Sequence, residues 1–178
     1  MVSASDILFN HGTSVAPLGL IAMSGTEEMA AKIDHYLVDW AHKGGYDWDT
    51  FLIDCECPRF SSGDGKGLIK STIRGKDLFI LVDVGNYDIK YQMFDQKNGM
   101  SPDDHYQDLK RIISASTGKA HRVNVIMPFL YESRQHKRTK RESLDCAMAL
   151  EELTAMGVSN ILTFDAHDPR VQLSLIHI

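Results

Sequence analysis

Cysteine is scarce and badly placed for cross-linking: the chain has three, Cys55, Cys57 and Cys146, an odd number with two of them a single residue apart. That is a poor disulfide framework and points to a reducing compartment, so a cytoplasmic location is expected. Cys55 and Cys57 do not make a zinc half-site, because no second pair exists to complete a tetrahedral shell. They read instead as strand residues facing opposite sides. No run of 18 apolar residues occurs, and the first 25 residues lack a charged stretch leading into a clean apolar core, so neither a membrane span nor a secretory signal is expected. Positive charge is in deficit too: 19 Lys and Arg against 24 Asp and Glu leave a net charge of -5. This removes any global electrostatic reason to expect nucleic acid or an anionic membrane as partner. Internal repeats and low-complexity linkers are missing, so no domain boundary is visible.

What remains is an ordinary folded composition, 43% hydrophobic and 24% charged over 178 residues, enough for one compact domain or one and a fragment. Leu18 to Met23 reads as a buried strand. Ser24-Gly25-Thr26-Glu27 reads as a capping box before Met29, Ile33, Leu37 and Trp40 at helical spacing. Gly44-Gly45 ends that helix, Phe51 to Ile53 is a short strand, and Ser61 to Gly67 is a Gly-rich loop. Leu78-Phe79-Ile80-Leu81-Val82 is an unbroken apolar run of strand length, as expected where both faces of a parallel sheet are covered. Ser101-Pro102 starts a helix, Val123 to Met127 is the next strand, Ser143 to Met156 a helix closed by Gly157, and Asn160 to Phe164 a last strand. The alternation predicts an α/β fold: a three-layer, mostly parallel sheet with helices on both faces and right-handed crossovers.

In such sheets ligands bind beyond the carboxyl ends of the strands. Two segments there carry chemistry. After Met127 comes Ser133-Arg134-Gln135-His136-Lys137-Arg138-Thr139-Lys140-Arg141, with five of the nineteen Lys and Arg residues inside eight positions. Such a loop can neutralise polyphosphate, and the planar fork of Arg134 can grip two phosphate oxygens; a merely solvated basic loop is the competing reading. After Phe164 comes Asp165-Ala166-His167. If the strand continues, Asp165 and His167 share a side and could hold one divalent cation, whereas a structural Asp beside an exposed His is the plainer alternative.

Taken in order, Met23-Ser24-Gly25, Arg59-Phe60-Ser61-Ser62-Gly63-Asp64, Ile73-Arg74-Gly75-Lys76-Asp77, Ser133-Arg134-Gln135 and Asp165-Ala166-His167 resemble ribose-phosphate pyrophosphokinase, also called phosphoribosyl pyrophosphate synthetase. The resemblance implies a phosphoribosyltransferase-like fold, residues 1–172 being the first of that family's two similar domains. It also implies transfer of the ATP β,γ-diphosphoryl group to ribose 5-phosphate, with Mg2+ as cofactor and a homo-oligomeric assembly. By the same resemblance Phe60, Ser62, Gly63 and Asp64 form an adenine-contacting loop that serves a neighbouring subunit. Arg134 and Gln135 are then the ATP-phosphate pair, and His167 with Asp165 the magnesium site. The catalytic lysine belongs to a second domain that is not in this sequence, so the chain by itself is expected to be inactive.

The pattern departs from the family in places. His136 and Thr139 stand where acidic residues are common, the segment after Lys140 is shorter, and regulatory contacts suggested by Ser71, Thr72 and Arg74 are not secure. Residues 1–17 and the stretch from Asn86 to Pro102 look lineage-specific. Residues 173–178, Leu173-Ser174-Leu175-Ile176-His177-Ile178, read as a non-native tail. Two rival readings stay open on sequence: a catalytically silent regulatory subunit of the same family, and a small α/β protein whose basic loop binds RNA phosphates.

Overall fold

The computed structural model of the chain describes residues 15–135, 137–138 and 140–165. Its centre is a five-stranded sheet, entirely parallel, in the order β2-β1-β5-β8-β9. These strands are β1 (Leu18–Ala22), β2 (Leu52–Ile53), β5 (Asp77–Leu81), β8 (Arg122–Ile126) and β9 (Val158–Leu162). The apolar run at 78–82 covers β5, the middle strand, from Leu78 onward and the residue after it; Leu78, Ile80, Leu81 and Val82 are fully buried. Among the described residues three helices complete the layers: α1 (Glu27–Lys43), α2 (Pro102–Ser116) and α3 (Asp145–Ala155).

Strand periodicity sorts the core into two halves. Ile21, Leu78, Ile80, Val123 and Val125 point to one face and pack with Tyr106, Leu109, Ile112 and Ile113 of α2 and with Cys146, Leu150 and Leu153 of α3. Leu20 and Leu81 point to the other and pack with Ala30 of α1. The predicted α/β architecture with helices on both faces is therefore present, with α1 on one face and α2 and α3 on the other.

The helix starts differ from the sequence reading in one case. Ser101 caps α2 as expected: its hydroxyl accepts from the Asp104 amide, Asp104 accepts from the Ser101 amide, and Pro102 is the first helical residue. At α1 the N-cap is Thr26 and its side chain makes no cap bond. The Thr26 hydroxyl is buried and donates to the carbonyls of Met23 (2.7 Å) and Leu81 (3.2 Å), tying the strand-to-helix turn to β5. Glu27 does reach back, but to the Gly25 amide at 2.8 Å. A second difference concerns the cysteines. Cys55 and Cys57 both pack against the main core, since residues two apart in an extended segment share a face. Burial pushes the Cys55 thiol up to about 11 and the Cys57 thiol up to about 12.

Two small antiparallel additions lie outside the main sheet. β3 (Cys55–Glu56) pairs with β4 (Leu68–Ile69), and β6 (Lys90–Met93) pairs with β7 (Gln96–Gly99). Gly67, just before β4, lies flat against α2: a Cβ there would stand 2.5 Å from the Arg111 carbonyl oxygen. The β6–β7 hairpin turns on Phe94 and Asp95, both with left-handed backbone (φ 45° and 61°). A two-residue hairpin turn asks for this conformation, but for a residue as bulky as Phe it costs on the order of 1–3 kcal/mol.

At the amino end of the sheet a buried polar network spans three strands. Asp77 of β5 accepts two hydrogen bonds from the Arg122 guanidinium, through Nε at 2.9 Å and through Nη2. It also accepts from Asn124 Nδ2 at 2.7 Å, and Asn124 Oδ1 accepts from Asn160 of β9 at 2.7 Å. Burial alone would raise the Asp77 carboxyl, but the bonds from Arg122 and Asn124 outweigh it and hold it below the ordinary carboxylate range. Replacing Asp77 by Ala is expected to lower the urea-unfolding free energy at neutral pH by about 1–3 kcal/mol, because Asn124 and Arg122 lose a charged acceptor. A folded-state pKa below the unfolded one means this stabilisation is complete above about pH 3.9 and is lost as pH falls through the folded value. The difference between wild type and variant should shrink in that acidic window.

Candidate functional site

A parallel sheet brings the carboxyl ends of β5, β8 and β9 to one edge. Beyond β8 the chain continues extended, and Phe129 bridges Asp165 in parallel register. The Asp165 amide donates to the Pro128 carbonyl at 2.9 Å, and the Leu130 amide donates to the Asp165 carbonyl at 3.2 Å. The chain then turns through Tyr131, Glu132, Ser133 and Arg134. Glu132 has a left-handed backbone (φ 52°) and its carbonyl accepts from the Gln135 amide at 2.8 Å. The Gln135 carbonyl in turn accepts from the Cys146 amide in the first turn of α3 at 3.3 Å.

Aromatic packing fixes where this turn begins. The Tyr131 ring stacks on Tyr106 of α2, with centroids 4.3 Å apart and planes 4° from parallel. Tyr131 donates its hydroxyl to Asp103 at 2.7 Å, and Tyr106 donates to the Ala149 carbonyl at 2.8 Å. Burial raises both phenols, so neither ionises at neutral pH. A cavity of about 330 Å³ opens at this edge, lined by Val84, Tyr87, Phe129, Tyr131, Glu132 and Arg134 among others. Burial raises the Glu132 carboxyl, and the acidic side chains of Asp145 and Asp103 add to the effect. Arg134 is exposed at the rim, and Lys137, Arg138, Lys140 and Arg141 follow it on the surface. The structure thus brings Arg134, Gln135 and Asp165 to the same sheet edge; His167, His136 and Thr139 lie outside the described residues.

Phe60, Ser62, Gly63 and Asp64 lie on a separate loop. Arg59 bridges Gly65 in antiparallel register, which closes a tight hairpin tip. The Phe60 amide donates to the Asp64 carbonyl at 2.7 Å, the Gly63 amide to the Phe60 carbonyl at 2.9 Å, and the Ser62 hydroxyl to the Asp64 carboxylate at 2.7 Å. Gly63 sits at φ 92°, a conformation that suits glycine. The Phe60 ring is 58% exposed, so it is not the core residue that a Gly-rich turn often carries.

The loop is anchored by charge. Arg59 donates to both carboxylate oxygens of Asp108 on α2, at 2.5 and 2.9 Å, and Arg111 donates to the same carboxylate at 2.6 Å. The Arg59 and Asp108 side chains are only 6% and 7% exposed, so this is a desolvated pair. The Arg59 guanidinium also lies over the Tyr91 ring of β6, 5.0 Å from its centre.

A profile of the N-terminal domain of ribose phosphate pyrophosphokinase matches residues 18–157. The chain belongs to that family. It is 31% identical over 121 residues to ribose-phosphate pyrophosphokinase 1 of Schizosaccharomyces pombe, an alignment covering 67% of this chain and 26% of the yeast protein. It is 27% identical over 157 residues to the ribose-phosphate pyrophosphokinase of Chlorobaculum tepidum, covering 88% of this chain and 41% of that one. The fold is similar to the crystal structure of phosphoribosylpyrophosphate synthetase from Mycobacterium smegmatis, with a TM-score of 0.66 at 20% identity, covering 89% of this chain and 45% of that one. The chain therefore spans less than half the length of these ribose-phosphate pyrophosphokinases and their structural counterpart.

For this pyrophosphokinase domain, the donor chemistry at the sheet edge suits magnesium. Asp165 offers an exposed, hard carboxylate oxygen, and Mg2+ typically takes one or two carboxylates, keeps several waters and draws its remaining ligands from phosphates. Among the described residues no group of three His, Cys, Asp or Glu side chains is gathered for a metal.

Sequence reading missed several contributors. Tyr131 and Glu132 line the cavity, yet only their adjacency to Ser133-Arg134-Gln135 could have flagged them. Asp108 and Arg111 are spaced as ordinary helix residues, and nothing local tells that Asp108 receives Arg59 from 49 positions away. Replacing Asp108 by Asn should leave two guanidinium groups around a neutral amide and cost about 3–5 kcal/mol, the range for breaking one partner of a buried pair. A thermal melt read by circular dichroism checks this; an unchanged midpoint would mean the cluster does not hold the loop.

Proposed function

We propose that the chain supplies the ATP- and magnesium-contacting half of a ribose-phosphate diphosphokinase site, and that a further domain completes it with the ribose 5-phosphate pocket and the catalytic lysine. In the reaction the anomeric hydroxyl oxygen of ribose 5-phosphate attacks the β-phosphorus of ATP. The bond from that phosphorus to the α,β-bridging oxygen breaks, AMP departs with the oxygen, and the hydroxyl proton is lost. The product is phosphoribosyl pyrophosphate, a precursor for nucleotide biosynthesis.

The observation that carries this reading is Arg134 at the rim of a cavity at the carboxyl ends of β5 and β8, with Asp165 on the adjoining strand end. In-line transfer of a diphosphoryl group is chiefly a matter of positioning and charge neutralisation. Arg134 would grip two phosphate oxygens in bidentate fashion, and the exposed cations after it would lower the cost of gathering polyphosphate charge. Gln135, whose backbone is fixed to α3, would add a neutral donor beside it. Asp165 and His167 would hold Mg2+, which would supply further charge neutralisation.

The Phe60 to Asp64 loop would receive adenine, with Phe60 stacking on the purine and Asp64 accepting from its exocyclic amine. From the family to which the chain belongs, we read the loop as serving the nucleotide of a neighbouring copy, which makes the working unit a homo-oligomer. A cytoplasmic, non-membrane role fits; among the described residues no helix is long and apolar enough to cross a membrane.

Equilibrium dialysis of the purified chain with ATP and Mg2+ tests the reading. Binding should be measurable, and Arg134→Ala should weaken it by about tenfold or more, the worth of a charge-assisted bidentate contact. Incubation with ATP, ribose 5-phosphate and Mg2+ should give no phosphoribosyl pyrophosphate from this chain alone. Failure to bind ATP at millimolar concentration, or unchanged binding by the variant, would overturn the assignment.

A further inference from the structure

The β6–β7 hairpin has no part in the site as described so far, yet it is built onto the Phe60 to Asp64 loop. The Phe94 amide at its tip donates to the Ser61 carbonyl at 2.9 Å. Met93 covers Gly63 so closely that a Cβ on the glycine would stand 2.6 Å from its sulfur. Tyr91 lies against the Arg59 guanidinium. The hairpin base is fixed as well: the Met100 amide donates to the Ile89 carbonyl at 2.8 Å, and the His105 ring meets the Asn86 carbonyl at 2.7 Å.

The side chain at position 94 is the anomaly. Its left-handed backbone is strained for Phe, and Asn or Gly would be the ordinary choice for a two-residue turn. Backbone bonding does not account for it, because any residue other than proline would donate the same amide to Ser61. Packing does not account for it either, because the side chain is 69% exposed. A strained, solvent-facing aromatic residue beside a loop that already presents an exposed Phe60 calls for something that binds there. The chemistry that uses two exposed rings on adjoining loop tips is a flat, weakly polar heterocycle.

We propose that the hairpin tip is part of the nucleotide-base site: Met93 and the Phe94 amide hold the Phe60 to Asp64 loop in its binding shape, and the Phe94 ring contacts the purine. This deepens the function proposed above and rests on it. Phe94 is thus a base-contacting and specificity-determining residue supplied by a segment outside the recognised motifs.

The decisive variant is Phe94→Gly, which keeps the amide and relieves the backbone strain. It should fold with an unchanged or raised melting midpoint and keep the Gly63 amide protected from hydrogen exchange. Its affinity for ATP should fall about fivefold or more, the low end of base stacking on a ring, with affinity for inorganic triphosphate unchanged. Phe94→Tyr should restore ATP affinity. Met93→Ala should speed exchange at Phe60 and Gly63 while leaving Ile112 in α2 protected.

If wild type and Phe94→Gly bind ATP equally, or if triphosphate affinity falls in parallel, the Phe94 assignment is wrong while the ATP reading stands. An altered sedimentation coefficient with unchanged ATP affinity would make the ring a subunit contact and overturn it too. If wild type binds triphosphate but not ATP in preference, the nucleotide reading fails and takes this one with it.

Discussion

The carboxylate of Asp108 is the charged anchor at which three pieces of the chain meet. It projects from α2, whose neighbouring residues Leu109, Ile112 and Ile113 are locked into the main core. It takes Arg59 from the candidate base loop, and Arg59 in turn faces Tyr91 of the hairpin. A carboxylate this buried is costly to desolvate, and two guanidinium groups with several directional bonds are what makes it tolerable. The cost brings definition: fork-on-fork geometry fixes the direction of Arg59, and therefore of the tip that starts one residue later. A hydrophobic anchor of the same volume would hold the loop down without orienting it.

The two candidate contact regions are stabilised by unlike physics. At the sheet edge the turn through Arg134 is held by backbone bonds to α3 and by a stacked tyrosine pair, so its cations are left free of intramolecular ion pairing among the described residues and available to an anion. The base loop is rigid because its charged residues are already satisfied internally. In the proposed function the first would meet phosphate and the second a flat ring, the two chemical halves of a nucleotide.

The parallel sheet was readable because its strands are apolar runs punctuated by caps and glycines: Leu78 to Val82 declared the middle strand and Ser101-Pro102 the start of α2. Boundaries slipped where tertiary contacts redirected a polar side chain. The Thr26 hydroxyl serves strand carbonyls instead of a cap, and β9 runs from Val158, two residues earlier than Asn160, because Val158 is drawn into the core beside Val123. The β6–β7 hairpin is poorly signalled in the sequence because the alternation at Lys90 to Met93 is only four residues long, and the one Asn-Gly pair, Asn98-Gly99, ends β7 while the turn itself is Phe94-Asp95. Its order comes from contacts with the base loop and with α2, which no local pattern encodes. That Arg134, Gln135 and Asp165 would meet at one sheet edge was legible from the strand order, whereas the partnership of Asp108 with Arg59 became visible only once distant segments met.

The thiols of Cys55 and Cys57 bear on how the molecule can be watched in solution. Burial leaves very little thiolate on either at neutral pH, so alkylating reagents meet unreactive sulfur as long as the native packing holds. Cys57 stands two positions before Arg59, at the root of the base loop, with its sulfur turned toward the Asp108 carbonyl. Its labelling is thus gated by separation of that loop from α2. The rate at which the sulfur becomes alkylated is a natural clock for the opening of the segment, and a ligand that seats the loop would slow it.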